Sequence, residues 1–130
     1  MIVKKAKVIP VECVVRGYLA GSCWKDYQAS RSICGIRLVE GLRESAKFEN
    51  PLFTPTTKAD EGHDMNVTFD ELAASIGENM AHQLMDISIK IYDKACSVAE
   101  KRGIIVADTK FEFGMLDGRL IVVDEMLTPD

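Results

Sequence analysis

The chain has 130 residues, 47% of them hydrophobic and 28% charged, which suits one ordinary soluble globular domain or part of one. Its net charge of -4 and isoelectric point near 5.2 argue against nucleic acid as a partner, and no apolar run approaches the ~20 residues of a membrane span. The opening MIVKKAKVIP lacks the apolar centre of a signal peptide, and Cys13, Cys23, Cys34 and Cys96 are widely spaced without a CxxC, the pattern of reduced cytoplasmic thiols.

Residues 2–8 (IVKKAKV) and 11–16 (VECVVR), rich in β-branched side chains, read as two strand pieces interrupted at Ile9-Pro10. GYLAGS is a turn with two glycines that leads into a short helix with Ser22 as its N-cap. Residues 33–38 (ICGIRL) suit another short strand, and the stretch from there to Thr57 reads as irregular. NPLFTPTTKADEGHDMNV, with two prolines, a glycine and many polar residues, is the longest structureless stretch; loops of such length are often functional. Thr68 and Glu71 then form a capping-box pattern, with Val67 and Leu72 placed as the hydrophobic staple, and Gly77 ends that helix. A long helix follows near residues 79–102, with Met80, Leu84, Ile87, Ile91, Ala95 and Val98 as its apolar stripe and Gly103 at its left-handed end. Two strands come last, GIIVADTKFEFG and RLIVVDEM, joined through LDG.

Within ADTKFEFG, strand alternation sends Thr109, Phe111 and Phe113 to one face and Asp108, Lys110 and Glu112 to the other. A two-residue Asp117-Gly118 loop would set Asp124 opposite Phe111, mixing an acid into the apolar face. A three-residue loop from Leu116 to Gly118 pairs Phe111 with Val123, Phe113 with Ile121 and Lys110 with Asp124, and this is the register expected. Asp108, Glu112 and Asp124 then gather around Lys110. Such a column is either a water-facing sheet face with alternating charge or a seat for a divalent cation and phosphate oxygens; the pattern alone leaves both open.

IPVECVVRGYLAGS (residues 9–22) and VADTKFEFG (residues 106–114) resemble the two signature stretches of the SAICAR synthetase (phosphoribosylaminoimidazole-succinocarboxamide synthase) family of purine biosynthesis. VKKA, FTPTTKADEGHD and VVDEMLTPD fit that family in the same order, so the resemblance runs from residue 2 to residue 130. It implies an α+β, distantly kinase-like ATP-binding fold. Residues 1–20 would be the end of a nucleotide-binding lobe and its hinge, and residues 21–130 an α+β lobe for substrate and metal. Family chains carry a β-rich lobe before this region and an arginine-bearing stretch after it, so the chain is expected to be the central portion of a longer enzyme.

The activity implied is a cytoplasmic ligase that uses ATP and Mg²⁺ to join L-aspartate to the carboxylate of carboxyaminoimidazole ribonucleotide through an acyl phosphate. On the same resemblance, Asp108 and Lys110 face the reacting carboxylate, and Glu112 and Asp124 carry Mg²⁺ at the ATP phosphates. The backbone of Glu12 to Val15, with Val14 central, reads the adenine edge; Val8 lies beside the ring and Lys4 near the nucleotide. Arg16 and Ser22 hold the ribonucleotide phosphate, Lys58 and Asp64 lie near the imidazole carboxylate, and Asp130 lies near the ribonucleotide. His63 and His82 read as surface residues. Exposed strand edges would favour homo-oligomers. Two other readings stand beside this one: a small-molecule kinase with a DxK site, and a truncated, non-catalytic nucleotide-binding piece.

Overall fold

The computed structural model describes residues 7–57 and 65–124. Its organising element is β1 (Lys7–Tyr18), a strand of 12 residues whose Val11, Cys13 and Val15 are buried on one face. After it come α1 (Ser22–Ser30), β2 (Ser32–Ile33), β3 (Ile36–Arg37), β4 (Lys47–Phe53), β5 (Thr56–Thr57) and β6 (Met65–Asn66). Next are α2 (Phe69–Ile76), α3 (Glu78–Glu100), β7 (Asp108–Leu116) and β8 (Arg119–Asp124). Among the described residues β1 pairs with β7 on one side and with β4 and β5 on the other, giving an antiparallel sheet ordered β6-β5-β1-β7-β8 with β4 also on β1. The class is α+β, as the resemblance implies.

Pro10 does not break β1 in two. Between the pairs Val8–Gly114 and Glu12–Glu112, four steps along β1 match two along β7, and Pro10 sits inside that bulge. A residue without an N–H is tolerated where the ladder is already interrupted. ICGIRL is a tight hairpin rather than one strand: Ser32 pairs with Arg37 and Ile33 with Ile36, around Cys34 (φ 49°) and Gly35 (φ 79°). Positive φ at both central residues is the mirror turn that suits a two-residue hairpin. The stretch expected to be irregular contains β4, whose Phe53 and Leu52 lie opposite Val15 and Arg16. Pro51 is accommodated there because, among the described residues, β4 pairs only with β1.

The capping box forms as expected: the Glu71 N–H donates to Thr68 Oγ1 at 3.1 Å and the Thr68 N–H to Glu71 Oε1 at 3.3 Å. Val67 and Leu72 both pack into the main core, and Gly77 (φ 95°) separates α2 from α3. The buried face of α3 is Ala81, Leu84, Ser88 and Tyr92, turned from the expected stripe, of which Val98 is exposed. Small residues at 81 and 88 let the helix approach the sheet, while Leu84 and Tyr92 fill the spaces between. Phe111 and Phe113 complete this core from β7, each stabilising the fold by about 2–3 kcal/mol through burial. A second, smaller cluster joins Leu19, Cys23, Tyr27, Ile33 and Phe48. Among the described residues no helix is long and apolar enough to cross a membrane.

Candidate functional site

The face of the sheet opposite the core carries the charges. Across β1 and β7, Glu12 pairs with Glu112, Val14 with Lys110 and Arg16 with Asp108. Directly paired residues on antiparallel strands project to the same side, so these six form one surface. The hairpin that adds Asp124 to it differs from expectation. Leu116 pairs with Arg119 and Phe113 with Val122, so the loop is the two-residue Asp117-Gly118, with φ of 53° and 77°. Asp-Gly takes the mirror turn whose twist matches the strands. The ladder then shifts between Glu112 and Phe113, and Asp124 lies opposite Glu112, not Lys110. Val123 is the added residue, and this bulge keeps the acid off the apolar face without a longer loop.

Glu12 and Glu112 are 8% and 7% exposed, so two carboxylates lie abreast with little water. Lys110 Nζ stands 3.9 Å from Glu12 Oε2 and is the nearest described counter-ion to that acid. Such a row is costly unless a cation shares it. Among the described residues no three His, Cys, Asp or Glu side chains are placed to share one metal ion. A row of few carboxylates fits Mg²⁺ nonetheless, because that ion commonly takes one or two carboxylates and completes its shell with phosphate oxygens and water.

One row along, Arg16 Nη1 lies 3.6 Å from Asp108 Oδ2, and its Nε donates to Thr54 Oγ1 at 3.1 Å. Thr54 is 1% exposed and its own N–H donates to the Val14 carbonyl at 2.8 Å. Thr54 thus aims the guanidinium, a role invisible in the sequence because TPTT reads only as loop. The backbone from Glu12 to Val15, the segment expected to read the adenine edge, lies between β7 and β4–β5. Among the described residues, Lys7 and Val8 are paired on the β7 side only, and Val8 is half-exposed.

Ser22 is the first residue of α1, but the cap position belongs to Gly21 (φ 62°), correcting the expected N-cap. Glycine is favoured there because the conformation is one that L side chains rarely adopt. Lys4, Lys58, Asp64 and Asp130 lie outside the described residues, as do the side chains of Ser22 and Asp124. The structure therefore brings together Glu12, Val14, Arg16, Asp108, Lys110 and Glu112, with Asp124 in register beside them.

The sequence pattern of the SAICAR synthetase family matches residues 1–130. Phosphoribosylaminoimidazole-succinocarboxamide synthase of Thermodesulfovibrio yellowstonii is 59% identical over 130 residues, and that of Syntrophobacter fumaroxidans 60% over 131. Each match covers 100% of this chain and 44% of the relative, so the chain spans less than half the length of these curated relatives. The fold superposes on the SAICAR synthase of Saccharomyces cerevisiae complexed with SAICAR with a TM-score of 0.87 and 41% identity, covering 95% of this chain and 40% of that one. A type-2 SAICAR synthetase in complex with ADP gives a TM-score of 0.78 at 27% identity, covering 95% and 48%.

Proposed function

The chain belongs to the SAICAR synthetase family, and from that premise we propose that it serves the ATP-dependent ligation of L-aspartate to carboxyaminoimidazole ribonucleotide. The observation that carries this reading is the charged row itself: Glu12 and Glu112 abreast, Lys110 beside them, and Arg16 with Asp108 one row along. The relative solved with ADP supports ATP as the nucleotide, and the relative solved with SAICAR supports the product.

The chemistry needs such a row. A carboxylate repels nucleophiles and has no good leaving group. Its oxygen attacks the γ-phosphorus of ATP, ADP departs, and an acyl phosphate results. The aspartate amine then attacks the acyl carbon, phosphate leaves, and the nitrogen gives up its proton. Asp108 and Lys110 face the reacting carboxylate, Lys110 offsetting negative charge as the phosphoryl group moves. Glu112 and Asp124 would hold Mg²⁺, whose charge would offset that of the ATP phosphates. Arg16 and Ser22 take the ribonucleotide phosphate, the latter where the first N–H groups of α1 favour an anion. Lys58, Asp64 and Asp130 complete the substrate side, and Lys4 the nucleotide side. The adenine edge falls to the backbone of Glu12 to Val15, with Val8 beside the ring. Residues 1–20 thus serve the nucleotide and residues 21–130 the substrate and metal, in the cytoplasm; strand edges such as that of β8 give a route to homo-oligomers.

The test is direct. With ATP, Mg²⁺, L-aspartate and carboxyaminoimidazole ribonucleotide present, ADP release that stops when either acceptor substrate is omitted supports the ligase. ADP release with hydroxyl acceptors instead supports a small-molecule kinase. A second reading follows from the 44% span of the relatives: a unit that binds nucleotide and ribonucleotide but turns over only when the relatives' remaining sequence is supplied. Binding without ADP release, restored by adding those segments, distinguishes it.

A further inference from the structure

Tyr92 reaches from α3 to the end of β1, on the core side of the sheet, and Gly17 leaves the space it occupies. A Cβ at position 17 would stand 2.0 Å from the Tyr92 hydroxyl oxygen and 2.8 Å from the ring carbon bearing it. The hydroxyl donates to the Val106 carbonyl at 2.5 Å and lies 3.4 Å from that of Ala107, to which the Gly17 N–H donates at 2.9 Å. Val106 and Ala107 run straight into Asp108, and Gly17 directly follows Arg16. One hydroxyl therefore lies at the point where β1 and β7 meet, one step from the Arg16–Asp108 pair.

We propose that Tyr92 and Gly17 are positioning residues that set the separation of the Arg16 guanidinium from the Asp108 carboxylate, and through it the grip of Arg16 on a phosphate. Phenylalanine would fill the same core volume; what tyrosine adds is a polar tip with a required partner, since a buried hydroxyl is costly unless hydrogen-bonded. That tip ties the helix to the two carbonyls preceding Asp108. Any side chain at 17 would push the helix and the β1 end apart by way of the hydroxyl. Arg16, held by Thr54 on one side and Asp108 on the other, would lose the second hold. The phosphate consequence rests on the role proposed for Arg16 above, whereas the positioning consequence does not.

The two consequences are separable by experiment. The ¹H–¹⁵N resonance of Arg16 Nε–H is followed in the protein, in Tyr92→Phe and in Gly17→Ala, alone and on titration with inorganic phosphate and with a ribonucleoside 5′-monophosphate. In Tyr92→Phe the resonance is expected to shift and broaden while the thermal midpoint moves only a few degrees, and monophosphate affinity is expected to fall about tenfold, about 1.4 kcal/mol. Gly17→Ala is expected to disturb the same resonance more, and Gly17→Ala with Tyr92→Phe to restore part of it, because the nearest obstacle has gone. An unchanged Arg16 Nε–H resonance in folded Tyr92→Phe overturns the proposal, whatever Gly17→Ala does to folding. If the unaltered protein binds neither phosphate probe while the resonance still responds to Tyr92→Phe, the positioning holds and the phosphate role of Arg16 fails.

Discussion

Glu112 stands opposite Asp124 across the β7–β8 hairpin because Val123 is an added residue in β8, and not because of the turn that joins the strands. Glu112 also lies opposite Glu12 on its other side, so it is the middle acid of a row of three. That position makes it the most informative residue for the cation. Glu112→Gln keeps the shape and removes the charge. The affinity for Mn²⁺, used as a paramagnetic substitute in the presence of ADP, is expected to fall at least about tenfold, the scale seen when even supporting groups around a metal are lost. Equal Mn²⁺ binding by the variant, read from its electron paramagnetic resonance signal, would remove Glu112 from the metal site.

Lys110 stands 3.9 Å from Glu12 and keeps nearly half its side chain open to the space above the sheet. The role proposed for Lys110 is to offset charge while the phosphoryl group moves. Lys110→Met is therefore expected to lower the rate of ADP formation by about 10²–10³ with little change in KM. A rise in KM at constant kcat would assign Lys110 to ground-state binding instead.

The Thr68–Glu71 capping box is far simpler. Thr68→Ala leaves the Glu71 N–H in the first turn of α2 without its side-chain acceptor and is expected to cost about 1 kcal/mol, measured by urea unfolding. No change would mean that packing of Val67 and Leu72 alone holds that helix start.

Alkaline stability follows from two buried acids. Burial pushes the Cys13 thiol up to about 12 from an ordinary 9.0, with the Ser88 hydroxyl acting in the opposite direction. Tyr92 is also raised, chiefly by burial and then by Cys96. A raised pKa in the fold means that the native state keeps its proton while the unfolded chain releases it. The contribution from Cys13 is complete below pH 9 and is lost as pH climbs from there toward 12. Cys13→Ala is expected to flatten the decline in unfolding free energy over that window, and an equally steep limb in the variant would show that other groups govern it.

The elements most legible in the sequence are those that local chemistry decides. The capping box, the long helix and the two faces of β7 depend on neighbours three or four positions apart, or on simple alternation. The register of β8 was harder, because Val122 and Val123 are identical and alternation cannot tell which of them is the added residue. KFENPLF has no strand pattern of its own; it becomes β4 because Val15 and Arg16 offer an unpaired side. The inward face of α3 was set by where the sheet lies, and Ser88, polar but small, fits there better than a larger apolar side chain. Thr54 carried no signal at all, since only the fold brings it to Arg16.

The pairing of β1 with β7 joins residues 100 positions apart, as Glu12 and Glu112 illustrate. At a ribosomal rate of about 5–20 residues per second, the valine-rich β1 waits roughly 5–20 s for its principal partner. Until then β4, β5, α2 and α3 are the described elements that pack against β1, and the strand lacks its β7 neighbour throughout that interval. Chaperone engagement should concentrate on this segment and end abruptly once β7 clears the exit tunnel.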